Sequence, residues 1–357
     1  MNPNPAPYGA YPQQPYPYIP YIPPTQPPQW ADPVKLEQKA IRRSASRLAF
    51  AALSSLPLQI LFSNGAAILL LFCGVNLMFP GPNSIGGFPA LAYYLIASMM
   101  SYVSIVLPYG LFLLGGRRRL VDTVLVEKTG ALNGLLLVLA GAFVCVIMNI
   151  PANLISALLE QLGLSGATNT DSLTVNSVME LIAMVVSVVL IAPVTEEFAF
   201  RGVTTAVLRR WGDWPAILFS GVIFGMAHYS FQALPVVMLG GIAMSFLYVR
   251  TRNIWISIGV HFLNNLFAVL PIGVNYLWGE MAANAVSGLS FYLIVVLGII
   301  ALVLLIIRQK KTRSVFRTPM QRGLAVPNKA LHLFLNPGFI VYLLVFLVMS
   351  VVTAYVS

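Results

Sequence analysis

The chain has 357 residues, 58% of them hydrophobic and 9% charged, whereas soluble domains usually carry about 25% charged residues, so a soluble globular fold is excluded. A net charge of +10 raises the question of nucleic acid, but the basic residues are confined to alternate loops between apolar stretches, the pattern of a membrane protein, and no nucleic-acid partner is expected. The two cysteines, Cys73 and Cys145, fall in apolar stretches with no metal-ligand spacing and no partner in an oxidising loop, and both read as packing residues.

Residues 1–33 hold twelve of the 25 prolines and five tyrosines. Such a segment cannot form a core and samples extended polyproline II conformations. Pro12 to Pro15, Pro17 to Pro20 and Pro20 to Pro23 each have the P-x-x-P spacing that aromatic grooves bind. The segment is therefore either a cytoplasmic docking site or a disordered tail with no partner. It does not have the form of a cleavable signal peptide, so the first apolar run is expected to remain as an anchor. Residues 34–47 follow as a basic juxtamembrane segment, either a helix along the headgroups or a plain orientation signal.

Nine apolar stretches approach the roughly 20 residues needed to cross a bilayer core of about 30 Å. They run from Leu48 to Met78, Phe88 to Leu114, Ala131 to Leu158, Val175 to Val194, Ala216 to Phe231, Leu234 to Val249, Ile254 to Leu270, Leu289 to Ile307 and Gly338 to Val356. This predicts an all-α, polytopic helix bundle with eight core helices in residues 48–308, a basic cytoplasmic linker at 309–337 and an appended helix at 338–357. All 21 Lys and Arg residues lie in Lys35 to Arg47, Arg117 to Lys128, Arg201 to Arg210, Arg250 to Arg252 and Arg308 to Lys329. The alternate loops hold none. The positive-inside rule then places the N-terminus in the cytoplasm and, after nine crossings, the C-terminus outside the cell membrane. The basic face is expected to attract anionic lipid.

Ionisable groups at membrane depth are costly unless paired and mark functional cavities. Glu180, Glu196, Glu197, His228 and His261 lie in or beside the apolar stretches, with Arg201, Asn264 and Asn265. Glu197 and Arg201 are four apart in the order that favours a helical ion pair. Glu196 lies about 100° around the helix and is free to face a cavity as a general base. Phe224 and His228 share a face, beside a Gly221/Gly225 pair that allows close helix approach. His261 and Asn265 share another face, which implies a common polar target. Each group alone reads equally as structural glue. Helix arithmetic puts His261 about 10 Å and His228 about 18 Å below the cytoplasmic surface, with Glu196 slightly shallower than His261. Tilt, side-chain reach or a broken helix has to close that gap. Glu180 is unexplained by these motifs and either snorkels to the outer interface or pairs within the bundle.

Together the EExxxR, FxxxH and HxxxN motifs, here Glu196-Glu197 with Arg201, Phe224 with His228, and His261 with Asn265, resemble the CPBP family of intramembrane proteases. That family includes CAAX prenyl proteases of the Ras-converting type and bacterial proteins linked to bacteriocin processing or self-immunity. The likeness covers approximately residues 175–270. It implies a protease-like core with a cavity open to the cytoplasm. Glu196 and His228 would activate water, His261 and Asn265 would bind the scissile carbonyl and its oxyanion, and Glu197, Arg201 and Phe224 would support them.

The resemblance leaves a metal open. Glu196, His228 and His261 could hold a divalent ion such as zinc with one position left for water, or activate water without one. The leading expectation is an endopeptidase, of metalloprotease or glutamate type, cutting a membrane-anchored peptide or protein near the cytoplasmic face. A non-catalytic scaffold or bacteriocin-immunity protein with the same fold is the rival. A proton-coupled transporter is disfavoured because no internal repeat relates the two halves.

Overall fold

The computed structural model describes residues 32–75, 84–85, 88–163, 175–311 and 329–356. The proline-rich tail and the middle of the basic linker lie outside the described residues, so the expectations made for them have no structural counterpart. Asp32 caps the first helix by accepting from the Val34 amide at 2.9 Å, and Pro33 sits where its missing N–H costs nothing. Helix α1 then runs unbroken over Pro33–Phe72. The basic segment and the first span are thus one helix, since residues 34 to 56 contain neither glycine nor proline. It ends six residues before the expected Met78. Gly74, at φ +83°, allows a left-handed turn in which Val75 N–H reaches the Leu70 carbonyl and Gly74 N–H that of Leu71, the paired bonds of a Schellman stop. Cys73 consequently lies just past the helix and is exposed, while Cys145 is buried in the core, so only Cys145 packs as expected.

After a two-stranded ribbon pairing Ser84–Ile85 with Phe88–Pro89, the rest of the described chain is helical apart from connecting turns. The helices are α2 (Ala90–Gly115), α3 (Ala131–Gln161), α4 (Val178–Trp211), α5 (Asp213–Met226), α6 (Ala233–Thr251), α7 (Ile254–Trp278), α8 (Glu280–Lys311), α9 (Lys329–Phe334) and α10 (Pro337–Val356). Each expected span falls on one of them. Seven are long and apolar enough to cross a membrane, whereas α5 and α10 are shorter apolar helices. The chain is a multi-pass membrane protein built as an all-α bundle.

Helix α5 departs most from expectation. At 14 residues it spans only about 21 Å, and it stops at Met226 instead of Phe231 because Tyr229 takes φ 48°, outside the helical range. Helices α5 and α6 form a hairpin packed without room for side chains on one face. A methyl group on Gly221 would lie 2.4 Å from Ile242 Cγ1 and 3.2 Å from the Met238 carbonyl. The small-residue pair at 221 and 225 therefore does what its spacing implies. Helix α10 packs along α1, where the Gly338 amide donates to Ser46 Oγ at 2.9 Å. It also reaches the far end of the α5 region, with Thr353 Oγ1 donating to the Tyr229 carbonyl at 3.0 Å.

Candidate active site

Helix α4 carries the Glu196-Glu197 pair between two widened segments, Val185–Ile191 and Phe198–Thr205, in π-helical register. Thr204 and Thr205 follow that register, their hydroxyls donating to the carbonyls of Ala199 and Phe200 five residues back. Such bulges recur at functional sites because they turn side chains out of the regular face order. The first bulge has a local cause. The Ala192 amide reaches the Ser187 carbonyl, and the next donor in that register would be residue 193, which is proline. The stranded Val188 carbonyl is met from α7, by Asn265 Nδ2 at 2.8 Å.

Glu197 points into the bundle. Its Oε1 lies 2.8 Å from Arg201 Nη1 and 2.9 Å from His261 Nδ1, and both acidic and basic side chains of the pair are 0% exposed. Beside Arg201 the Glu197 carboxylate only accepts, so His261 Nδ1 carries the proton and Nε2 is the free acceptor. That Nε2 is 3.8 Å from Glu196 Oε2, too far for a direct hydrogen bond. The other end of Arg201 donates through Nη2 to the Gly241 carbonyl at 3.1 Å. Arg201 thus ties α4 to α6, and Glu197 ties α4 to α7.

Phe224 lies against all of these groups. Its ring centre is 4.4 Å from the Arg201 guanidinium, and its edge contacts place it 5.4 Å from His228, 5.8 Å from His261 and 4.9 Å from Phe200. One aromatic ring therefore orients both imidazoles. His228 sits just beyond the end of α5, not inside it, with Nδ1 3.1 Å from the Phe224 carbonyl. A carbonyl can only accept, so here too the proton is on Nδ1 and the lone pair on Nε2. The break in α5 and the bulges in α4 bring His228 and Glu196, expected at different depths, to one cavity of about 660 Å³. Among the described residues Glu196 Oε2 is buried without a hydrogen-bond partner.

A second, smaller cavity of about 70 Å³ is bordered by Asn149, His228, His261, Asn264 and Asn265. His228 and Phe224 line both cavities. His261 and Asn265 border this cavity together, and one amide hydrogen of Asn265 is committed to the Val188 carbonyl. Glu180 also has partners. Ser177 caps α4 by accepting from the Glu180 amide, and the carboxylate accepts from Tyr94 Oη and the Asn176 amide, each at 2.7 Å.

With Nδ1 bonded to a protein acceptor, Nε2 is the atom each neutral imidazole would offer to a zinc ion. Among the described residues, however, no three His, Cys, Asp or Glu side chains gather closely enough to share one ion. Glu196, His228 and His261 as arranged do not form a ligand set.

Residues 178–267 match the family model described as Type II CAAX prenyl endopeptidase Rce1-like, an interval that contains every residue of the three motifs. The chain carries an Rce1-like segment. It is also 33% identical over 88 residues to YdiL of Bacillus subtilis (strain 168), a candidate membrane peptidase, across 24% of this chain and 36% of that one. The match thus spans about a third of the relative's length. No solved structure gives a significant match. The Rce1-like segment supplies α4 to α7, whereas α1 and α2, which complete the larger cavity, lie outside it.

Several residues of the site were not legible as such. Tyr102 donates to the Ser187 carbonyl at 2.9 Å and lines the larger cavity, yet a lone tyrosine in an apolar span carries no signal. Gly241 receives Arg201, and nothing local marks it. Asn149 shares the Ala131 to Leu158 stretch with Asn133 and Asn153, so nothing in the sequence singles it out.

Proposed function

We propose that the chain is an intramembrane endopeptidase of the glutamate type, hydrolysing a peptide bond in a membrane-anchored polypeptide with water activated by Glu196 and His228. The observation that carries this reading is that Glu196 lines the same cavity as His228, with its Oε2 buried and without a hydrogen-bond partner among the described residues. Glu196 takes a proton from water, and the resulting hydroxide adds to the scissile carbonyl carbon. His228 Nε2 accepts a hydrogen bond from the attacking water, and the proton held by Glu196 passes to the departing amide nitrogen as the tetrahedral intermediate collapses. His261 is kept in one tautomer and orientation by the Arg201–Glu197 pair, as a triad acid holds its imidazole. Asn265 holds α7 against the bulge of α4.

His261 lies nine residues from Arg252, about 13 Å along α7, so the bond is cut in the half of the membrane nearer the basic loops. In the cell membrane those loops would face the cytoplasm and anionic headgroups. The deciding experiment compares wild type, Glu196→Gln and His228→Ala in proteoliposomes holding a fluorogenic peptide on a transmembrane anchor. Loss of general acid–base help is worth about 10² to 10⁴ in rate. Undiminished cleavage by Glu196→Gln would sink the assignment.

A further inference from the structure

Helix α10 lies outside the segment that matches the family model, yet it packs against the chain on both sides of His228. Phe339, Tyr342, Phe346 and Ser350 are buried, and their spacing of three or four residues puts them on one face of the helix. Ile340, Leu344 and Val348 are exposed. The buried face meets α5 and the turn that follows it. The Ile223 carbonyl, which takes the Ala227 amide at the end of α5, also accepts from Tyr342 Oη at 3.4 Å. The Tyr342 ring stands edge-on to Tyr229 with centres 6.3 Å apart, and Phe346 stands edge-on to Phe231 at 5.6 Å.

The turn between these contacts is one that has to be imposed. Tyr229 takes φ 48°, a left-handed conformation that is costly for any residue but glycine and persists only where the surroundings fix it. The amides of His228 and Tyr229 bond back to the carbonyls of Gly225 and Met226 at 3.2 and 3.1 Å, so the backbone that carries the imidazole is continuous with this turn. On its far side Ser230 opens α6, with Oγ accepting from the Ala233 amide at 3.3 Å. Those bonds order the backbone on either side of the turn, whereas the ring that meets Tyr229 edge-on is Tyr342. Tyr229 also lines the cavity that holds Glu196 and His228. A shift of α10 is therefore felt at the site through one residue.

We infer that Tyr342 and Phe346 are positioning residues: α10 imposes the left-handed turn at Tyr229 and so fixes the place and tautomer of His228. What His228 does there rests on the proposed proteolysis; its being held by α10 does not. Tyr342 and Phe346 are each replaced by Leu and, separately, by Met, so that a variant lost to unfolding leaves an apolar counterpart of similar volume. Leu344→Ala, on the exposed face of the same helix, is the control. Histidine nitrogen NMR in detergent reads the imidazole directly, the His228 signals being identified by their loss in His228→Gln. Wild type should show the Nδ1–H tautomer in a single environment. The Leu and Met variants should show mixed tautomers or environments, and their kcat on an anchored peptide in proteoliposomes should fall about 10- to 100-fold, the scale of a misplaced catalytic group, with KM little changed. Leu344→Ala should match wild type in both measurements. Unchanged His228 signals in the folded Leu or Met variants would overturn the inference, as would an equal change in Leu344→Ala. Failure of all four variants to fold would also overturn it, because α10 would then support the whole bundle and not this turn. Since the NMR needs no catalysis, the expected signals from a wild type that cleaves nothing would count against proteolysis and leave the positioning standing.

Discussion

Asn265 on α7 donates to the Val188 carbonyl of α4 across 2.8 Å, filling the place of the hydrogen that Pro193 lacks. An open carbonyl in an apolar interior costs about 1–3 kcal/mol. Asn265→Leu is therefore expected to lower thermal stability in detergent by an amount in that range. Pro193→Ala returns an N–H to the chain at the position that faces Val188, so the double variant should recover part of the loss. A double-mutant cycle with a coupling near zero would show that the two residues do not share this carbonyl.

The buried Arg201–Glu197 pair makes an asymmetric prediction. Removing one charge strands the other in a fully buried position, which typically costs about 3–5 kcal/mol, while replacing both with apolar residues of similar volume costs far less. Arg201→Met should thus unfold the protein at markedly lower temperature than the double variant Arg201→Met, Glu197→Leu. The double variant should be inactive, because His261 loses the Glu197 acceptor at its Nδ1. A double variant no more stable than Arg201→Met, measured by thermal scanning in the same detergent, would contradict the account.

Much of this site is written in short-range spacing. Glu197 with Arg201 and Gly221 with Gly225 are intrahelical relationships of four residues, and Phe224 reaches His228 at the same spacing although His228 lies just past the end of α5, so helical periodicity exposes all three. Each of the nine apolar stretches meets a helix, although only seven of those helices are long and apolar enough to cross a membrane. What was hidden depends on the approach of separate helices or on local backbone breaks. Nothing in the numbering links Asn265 to Val188, 77 residues away, or Arg201 to the backbone of Gly241. The early stop of α5 needs the left-handed Tyr229, and no glycine marks it. The larger cavity is completed by α1 and α2, whose serines and tyrosines look like scattered polar residues until the helices are packed.

Gly241 offers a test of how tightly Phe224 is held. A methyl group there would lie 2.8 Å from Phe224 Cδ1 and 3.4 Å from Arg201 Nη2. Neither group can retreat without disturbing the imidazoles packed on Phe224. Gly241→Ala is expected to cost about 1–3 kcal/mol, the usual range for overpacking, and to depress peptide cleavage by more than the stability loss accounts for. The neighbouring Gly240→Ala, where a methyl group meets nothing within 4 Å, is the control. Equal effects of the two on unfolding temperature would show that Phe224 adapts freely.

Outside the membrane spans, His332 on α9 makes docking of the C-terminal helices sensitive to acid. Its Nδ1 accepts from Arg42 Nε at 3.2 Å, which requires that nitrogen to be unprotonated, and the neighbouring contact is the Lys329–Glu37 pair at 3.9 Å. Burial, and then the adjacent Arg42 charge, hold the His332 pKa below its ordinary value of 6.5. The docked state therefore binds fewer protons than the undocked one. Its stabilisation is fully present above pH 6.5 and is lost as the pH falls through the lowered docked-state value. Spin labels at Arg43→Cys and Leu331→Cys, in a background without the native cysteines, should report a single short distance at neutral pH. A longer population should grow as the medium is acidified below that window's upper edge. His332→Gln, which keeps an acceptor for Arg42 without a titrating group, should remove the pH dependence, and an unchanged distance distribution in acid for the native His332 protein would rule the mechanism out.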